Sequence, residues 1–207
     1  MVVKGECFGQ NLYSIKLYKL LKMKIEIISG SPRLASVTKR VAIHLYNIFS
    51  GLEGVDVGLI DTRNHILPPV ETVFSSVADA PKELQTLASR IFNADAFILV
   101  TPEYNGSYSP AMKNLLDHFP KQKRKVFGIV TASPGAMGGM RAAMQVQQLI
   151  YGLSGIGSPQ MLIVPEVDKK FSSDGKLQDS KFLKQVNAFI DEFLWLAESL
   201  VQSVVAA

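Results

Sequence analysis

The stretch KIEIISGSPRLASVTKRVAIHLYNIF, residues 24–49, decides the fold. Its first part is rich in isoleucine and predicts a short strand over residues 24–29. Its last part places Val41, Leu45 and Ile48 on one face of a helix. Small residues, a proline and an arginine lie between the two. A strand that leads directly into a helix is the repeating unit of a parallel α/β sheet.

The same alternation of strand and helix continues along the chain. Strands are predicted at VDVGLID (55–61), AFILV (96–100), KVFGIVTA (125–132) and QMLIV (160–164), each followed by a segment with helical character. AFILV is apolar throughout, as expected of a central strand that is covered on both faces. Five strands separated by helices predict one α/β domain over residues 23–207, a doubly wound parallel sheet with helices on both faces.

Composition and charge exclude several classes of protein. The 207 residues are 47% hydrophobic and 19% charged, which is typical of a globular domain. The apolar stretches are too short to cross a bilayer, which takes about 20 residues. A single cysteine, Cys7, excludes an internal disulfide framework and favours a reducing, cytoplasmic location. Of the net charge of +4, residues 1–22 hold +3, so the rest lacks the basic charge of a nucleic-acid-binding protein.

Residues 1–22 precede the first predicted strand and are interpreted as an N-terminal extension. They lack the continuous apolar core of a signal peptide. We favour a flexible tail. The alternative is an amphipathic helix that binds a membrane surface or a partner.

The loop after the first strand has the features of an anion site. Ser31, Ser36 and Thr38 place hydroxyl groups at a helix N-terminus, where free N–H groups and the helix dipole favour a phosphate. Arg33 adds a permanently charged donor. The glycine patterns of a Walker A loop and of a dinucleotide-binding loop are both missing. A capped turn with an exposed arginine explains the same residues, so this loop alone leaves both interpretations open.

The loops after the third and fourth strands carry the other unusual residues. TPEYNGSYSP (101–110) sets a stiff turn beyond a buried strand, and Tyr104 and Tyr108 are available to flank an aromatic ring. Asn105–Gly106 is also an ordinary turn signal. SPGAMGG (133–139) offers a surface with few side chains, suited to a planar group or simply to a flexible loop. Ligands of such sheets bind at the carboxyl ends of the strands, so the three loops are predicted to form one site.

With these three loops the chain resembles the NADPH-dependent FMN reductases of flavodoxin-like fold, a group that contains quinone, chromate and azo-dye reductases. The first loop matches the pattern G-S-x-R-x-x-S from Gly30 to Ser36. The second matches P-E-Y-N in residues 102–105, and the third matches S-x-G-x-x-G-G-x-R in residues 133–141. The resemblance extends from about Met23 to the final predicted helix.

The resemblance implies a flavodoxin-like five-stranded sheet of order 2-1-3-4-5, bound FMN, and NADPH or NADH as co-substrate. It implies hydride transfer to flavin N5 and then to a quinone, an azo compound, a metal oxyanion or free flavin. It also implies a homodimer or homotetramer, and it assigns no catalytic acid or base to the chain. The residues implied to bind FMN are Ser31, Arg33, Ser36, Val37 and Thr38 at the phosphate, Pro102, Glu103, Tyr104, Asn105 and Gly106 along one side of the ring, and Ser133 and Gly135 near its other edge.

Two positions depart from the family pattern. Thr38 stands where several relatives carry asparagine, and it keeps a polar donor. Residues 117–119, Asp-His-Phe, replace an aspartate that is usually followed by tryptophan in a region often bordering the ring or a neighbouring subunit, which leaves the acceptor open. We predict no metal site, since His44, His65 and His118 lack a carboxylate or cysteine at ligand spacing.

Other functions and features remain open. A flavodoxin-like carrier that exchanges electrons with protein partners is one alternative, although carriers tend to be strongly acidic and this chain is not. A non-catalytic FMN-binding or flavin-free module is another. The basic run KQKRK (121–125) could recognise the 2′-phosphate of NADPH, or it could simply be solvated. The proline-containing segment 62–80 is long enough to overhang the active site.

Overall fold

The computed structural model, which describes residues 23–205, confirms the predicted alternation of strands and helices. The predicted N-terminal extension, residues 1–22, lies outside the described residues. Within them no helix is both long and apolar enough to cross a membrane. The elements are, in chain order, β1 (Met23–Ser29), α1 (Thr38–Ser50), β2 (Val55–Asp61), α2 (Gln85–Asn93), β3 (Ala96–Thr101), α3 (Pro110–Asp117), β4 (Val126–Ala132), α4 (Met140–Gly152), β5 (Ile156–Gly157), β6 (Leu162–Val164), α5 (Val167–Lys170) and α6 (Leu183–Val205).

The strands form one parallel sheet in the order β2-β1-β3-β4-β5, which confirms the predicted order. The sheet also contains a sixth strand, because β5 pairs with the start of β4 and β6 pairs with its end. The sequence predicted one strand over residues 160–164 at this position. Pro159 lies between the two short strands and has no backbone N–H to continue a ladder. The last position of the sheet is therefore shared by two short strands.

Helices cover both faces of the sheet. On one face α1 and α6 pack against Ile25 and Ile27 of β1, and on the other face α2, α3 and α4 pack beside Ile28. This alternation follows from the two-residue period of a strand. β3 is buried at all six positions, as the uniformly apolar AFILV predicted. The core is therefore two apolar layers with the sheet between them.

The start of α3 confirms a local prediction from the sequence. The Ser109 hydroxyl accepts a hydrogen bond of 3.1 Å from the backbone N–H of Met112, and Pro110 is the first helical residue. The same hydroxyl donates to the carbonyl of Gly30 in the loop after β1. One side chain thus starts α3 and holds the first of the three loops.

Candidate functional site

The three loops meet at one edge of the sheet because β1, β3 and β4 end there side by side. Ser29 of β1 pairs with Val100, and Thr101 of β3 pairs with Thr131 of β4. The register therefore places the loops after these strands next to one another. This arrangement confirms that the sequence motifs share one end of the molecule.

The first loop leaves β1 against the neighbouring strand and helix. The N–H of Gly30 donates a 2.8 Å hydrogen bond to the carbonyl of Val100. A Cβ at Gly30 would lie 3.0 Å from the Cβ of Met112 and 3.2 Å from that carbonyl oxygen. Such contacts are tighter than most side chains accept, so the close approach requires a glycine here.

The polar residues of the first loop surround the start of α1. Ser31 and Thr38 are each 2% exposed, whereas Arg33 is exposed. The Ser36 hydroxyl accepts a 3.2 Å hydrogen bond from the N–H of Lys39, which lies in the first turn of the helix. Val37 packs against the core beside α1. Of the five predicted phosphate-binding residues, Ser36, Val37 and Thr38 therefore lie at one helix N-terminus, where an anion is favoured, and Ser31 and Arg33 belong to the loop that leads into it.

The second loop is a two-residue hairpin turn. Tyr104 and Ser107 exchange backbone hydrogen bonds of 2.8 and 3.0 Å across the turn. Asn105 has φ of 51° and Gly106 has φ of 82°, so both central residues are left-handed, as in a type I′ turn. The tight turn predicted from Asn105–Gly106 is confirmed.

The third loop is shaped by its glycines. The Ser133 hydroxyl accepts a 3.0 Å hydrogen bond from the N–H of Gly135. Gly138 and Gly139 have φ of 62° and 89°, which is strained for any other residue. A Cβ at Gly139 would lie 3.0 Å from the Cβ of Thr131. The loop thus stays close to the end of β4 because it carries few side chains.

Two side-chain contacts join the three loops. The Arg33 guanidinium carbon lies 4.6 Å from the centre of the Tyr104 ring, which links the first loop to the second. Glu103 accepts a 3.0 Å hydrogen bond from Nε of Arg141, which links the second loop to the third. The second carboxylate oxygen of Glu103 accepts from the N–H of Ala142 at 3.5 Å, near the start of α4.

Two side chains that were predicted to line the ring, Tyr104 and Glu103, contact other protein residues in this structure. One face of the Tyr104 ring is covered by Arg33, and the Glu103 carboxylate is directed at α4. Within residues 23–205, Pro102, Asn105 and Gly106 make no hydrogen bond or ring contact to the other two loops, and their main chain forms the surface of the turn. The second loop therefore presents mainly a backbone edge, and its Tyr104 ring packs against Arg33.

Three hydroxyl groups near this edge are buried and unpaired within residues 23–205. The side-chain oxygens of Ser29, Tyr104 and Thr131 are buried without a hydrogen-bond partner among the described residues. Buried polar groups are usually paired, so each marks a place where the protein alone leaves hydrogen bonding incomplete. The helix N-terminus that follows Arg33 and the close approach at Gly30 fit a phosphorylated planar cofactor such as FMN.

The Asp-His-Phe sequence at residues 117–119 ends α3, and its histidine and phenylalanine are buried. His118 is 3% exposed, and its Nδ1 lies 2.7 Å from the carbonyl oxygen of Asn114. The His118 and Phe119 rings pack against Phe74, at centroid distances of 5.5 and 5.7 Å. This departure from the family pattern is therefore part of the packing under segment 62–80. Within residues 23–205 no group of three or more His, Cys, Asp or Glu side chains could hold a metal ion.

The basic run KQKRK lies at the opposite edge of the sheet. It precedes β4, whose seven residues separate it from the three loops by roughly 20 Å at the usual strand rise. Lys125, at its end, donates hydrogen bonds of 3.1 Å to the carbonyls of Ile91 and Phe92 near the end of α2. The run therefore lies away from the three loops, and its contact with the 2′-phosphate of NADPH stays a prediction.

Three charged residues beside the first loop were missed by the sequence motifs. Asp61, the last residue of β2, is 4% exposed and pairs with both Lys39 and Arg63. The sequence did contain a signal for Asp61. An acidic residue at the carboxyl end of a predicted strand is expected near the loop after β1, because β2 ends at the same edge as β1.

Comparison with known proteins agrees with this geometry. The family model of NADPH-dependent FMN reductases matches residues 23–168. An FMN-dependent NADPH-azoreductase of Staphylococcus saprophyticus is 29% identical over 178 residues, covering 83% of this chain and 94% of the relative. An enzyme of the same name from Staphylococcus haemolyticus is 28% identical over 180 residues, with the same coverage of both chains.

Solved structures share the fold. FerB, a flavoenzyme NAD(P)H:(acceptor) oxidoreductase from Paracoccus denitrificans, superposes with a TM-score of 0.70 at 24% identity, covering 86% of this chain and 98% of its own. An apo NADH:FMN oxidoreductase, EmoB, superposes with a TM-score of 0.64 at 21% identity, covering 83% and 88%. The family match spans most of the chain and contains all three loops. The chain belongs to the NADPH-dependent FMN reductase family and is an oxidoreductase with FMN as its cofactor.

Proposed function

We propose that this enzyme oxidises NADPH and reduces a planar small molecule, such as a quinone or an azo compound, at the edge where the three loops meet. The observation that carries the proposal is the convergence of these loops through the Arg33–Tyr104 and Glu103–Arg141 contacts. When bound, FMN supplies two-electron redox chemistry, and its N5 is the atom that exchanges a hydride. The names of the staphylococcal relatives support an azo acceptor.

We propose that the chain binds FMN through the residues of its three loops. The N-terminus of α1 faces the phosphate with N–H groups and a positive dipole, and Arg33 adds charge-assisted hydrogen bonds. The backbone of the type I′ turn contacts one edge of the ring, where Asn105 and Gly106 can donate N–H groups. The proposed contacts are Ser31, Arg33, Ser36, Val37 and Thr38 for the phosphate, Pro102, Glu103, Tyr104, Asn105 and Gly106 for one side of the ring, and Ser133 and Gly135 for the other edge.

The chain's own contribution to the reaction is binding and orientation. The third loop follows the ends of β4 and β6 closely, because Gly138 and Gly139 are left-handed and added Cβ atoms there would meet Pro165 and Thr131. We propose that a nicotinamide and afterwards a planar acceptor bind at the same place beside the ring. We therefore assign no side chain as a catalytic acid or base.

The proposed activity is tested on the purified full chain. We expect a yellow protein whose flavin absorption is bleached by NADPH without oxygen and restored by a quinone or an azo dye. We also expect a higher kcat/KM for these planar acceptors than for chromate, because a planar aromatic molecule can stack on the flavin ring and chromate cannot. NADH in place of NADPH measures the nucleotide preference.

Other outcomes point elsewhere. A yellow protein that neither nucleotide reduces would indicate an electron carrier with protein partners. A colourless protein that cannot be reconstituted with FMN would contradict the proposal.

We also propose that the enzyme is a homo-oligomer in which α4 contacts a second copy. Met140, Met144 and Tyr151 are 43%, 41% and 77% exposed along this helix, and Met137 precedes it at 63%. Apolar residues that recur on one helix face in solvent mark an interaction surface. A Met144→Glu/Tyr151→Glu variant is expected to elute as a monomer, measured by light scattering during size exclusion.

Trp195→Glu is the matched control for the oligomer. Trp195 is 51% exposed on α6, on the other face of the sheet, so this variant should keep the wild-type mass. A monomeric wild-type protein would refute the proposed contact.

A further inference from the structure

The end of β2 carries a buried charged cluster outside the loop motifs. The Asp61 side chain is 5% exposed, and its carboxylate receives the Arg63 guanidinium at 2.6 to 3.1 Å and the Lys39 ammonium at 2.8 Å. It also accepts a 3.1 Å hydrogen bond from the backbone N–H of Arg63. Burial alone would raise the pKa of Asp61, but the hydrogen bonds from Arg63 and Lys39 outweigh it and hold the pKa at about 2. Asp61 is therefore ionised across the working pH range.

This cluster is bonded to the first loop at three points. Lys39 lies in the first turn of α1, at the end of the loop. Arg63 donates through Nη1 to the carbonyl of Leu34 in the middle of the loop, at 3.1 Å. Thr62 donates to the carbonyl of Ser29 at its beginning, at 3.0 Å. The three residues of the sequence Asp-Thr-Arg, together with Lys39, thus tie down the beginning, middle and end of the loop.

Near its centre the loop is also held by Arg33, which packs on the Tyr104 ring, but the neighbouring Leu34 is exposed. The Leu34 side chain is 91% exposed, so it adds no apolar packing to hold its own position. The bond from Arg63 to the Leu34 carbonyl is accordingly a direct restraint on this part of the loop. Because Asp61 orients Arg63, its carboxylate controls that restraint as well as the position of Lys39.

We infer that Asp61 is a positioning residue that holds the first loop in the conformation that binds the phosphate of the cofactor. The inference rests on the proposed placement of that phosphate at the N-terminus of α1. A loop that is ordered before the ligand arrives loses less conformational entropy on binding. The effect of Asp61 should therefore fall on ligands that carry the phosphate and spare those that lack it.

The test compares FMN with riboflavin, which has the same ring without the phosphate. Wild-type and Asp61→Asn proteins are stripped of flavin and titrated with each ligand. Asparagine retains an oxygen for the N–H of Arg63 but loses the charge that orients Arg63 and Lys39. We expect the variant to lose roughly tenfold in FMN affinity, the cost of ordering one or two side chains and their loop. We expect less than about a twofold change for riboflavin, because riboflavin does not contact the phosphate loop.

A second buried carboxylate provides the control. Glu26 of β1 is also paired bidentately with an arginine, Arg90, and its side chain is 10% exposed. It lies three residues before the end of the strand, about 10 Å from the loop. Glu26→Gln should lower thermal stability but keep the wild-type ratio of FMN to riboflavin affinity.

The outcomes separate this inference from the proposed function. If Asp61→Asn lowers the affinities for both flavins equally, or lowers only the melting temperature, Asp61 is merely structural. If Asp61→Asn does not fold, the same titrations are carried out on Arg63→Lys. Lysine keeps the charge of Arg63 but cannot reach both Asp61 and the carbonyl of Leu34, so the same selective loss for FMN is expected. A selective loss for FMN supports the inference, and an unchanged ratio overturns it. Wild-type protein that binds neither flavin would instead contradict the proposed function.

Discussion

Arg33→Ala is expected to weaken FMN binding by about 10- to 150-fold while leaving riboflavin binding nearly unchanged. A hydrogen bond to a charged group contributes roughly 1.5–3 kcal/mol, which corresponds to this range. Arg33 is exposed, and its contact with Tyr104 accounts for about 0.5–1 kcal/mol at most. The apoprotein should therefore keep its fold. Titration of the flavin-free protein with both ligands, together with a thermal melt, measures the effect.

Lys123→Ala is the matched control for this prediction. It removes the same charge from an exposed side chain at the opposite edge of the sheet. Its FMN affinity should equal that of the wild type. An Arg33→Ala protein that still prefers FMN over riboflavin as strongly as the wild type would show that Arg33 does not bind the phosphate.

Gly138→Ala is expected to lower the free energy of unfolding by about 2–4 kcal/mol, which combines left-handed backbone strain of 1–2 kcal/mol with a comparable cost of overpacking. Gly138 has φ of 62°. An added Cβ would lie 2.7 Å from the nitrogen of Pro165 and 2.9 Å from the carbonyl carbon of Val164. Backbone atoms cannot give way as a side chain can, so the third loop must move. We expect a melting temperature lower by roughly 5–15 °C and weaker FMN retention.

Gly135→Ala serves as the comparison within the same loop. The new Cβ would meet the Ser133 hydroxyl at 3.4 Å, an ordinary contact, and Gly135 is not left-handed. The free energy of unfolding of the Gly135→Ala apoprotein should lie within about 0.5 kcal/mol of that of the wild type. Equal stability of the two variants would rule out strain at Gly138 as the cause.

Local signals predicted much of this fold. Ser109 and Pro110 marked the start of α3, and Asn105–Gly106 marked a tight turn, because each signal acts through neighbouring residues. The uniformly apolar AFILV predicted the buried central strand for the same reason. The order of the strands was implied by the family resemblance, since three motifs had to share one edge.

The side-chain partners at the site could not be predicted in this way. Glu103 and Arg141 are 38 residues apart, and Arg33 reaches Tyr104 only because β1 and β3 are neighbours. The contacts of Asp61 with the first loop were not predicted for the same reason, since they arise only because β2 adjoins β1 in space. The edge of the sheet at which KQKRK lies could be predicted from the sequence. The run precedes β4, so it lies at the amino ends of the strands and away from a site at their carboxyl ends.

The division of the last strand into β5 and β6 also limits how copies of the chain can aggregate. An intact edge strand exposes a row of unpaired N–H and C=O groups that another chain can extend into an intermolecular sheet. Here that row is cut into pieces of two and three residues with Pro159 between them. Such an edge is a poor template for strand addition, so it protects the folded enzyme from amyloid-like pairing at that side.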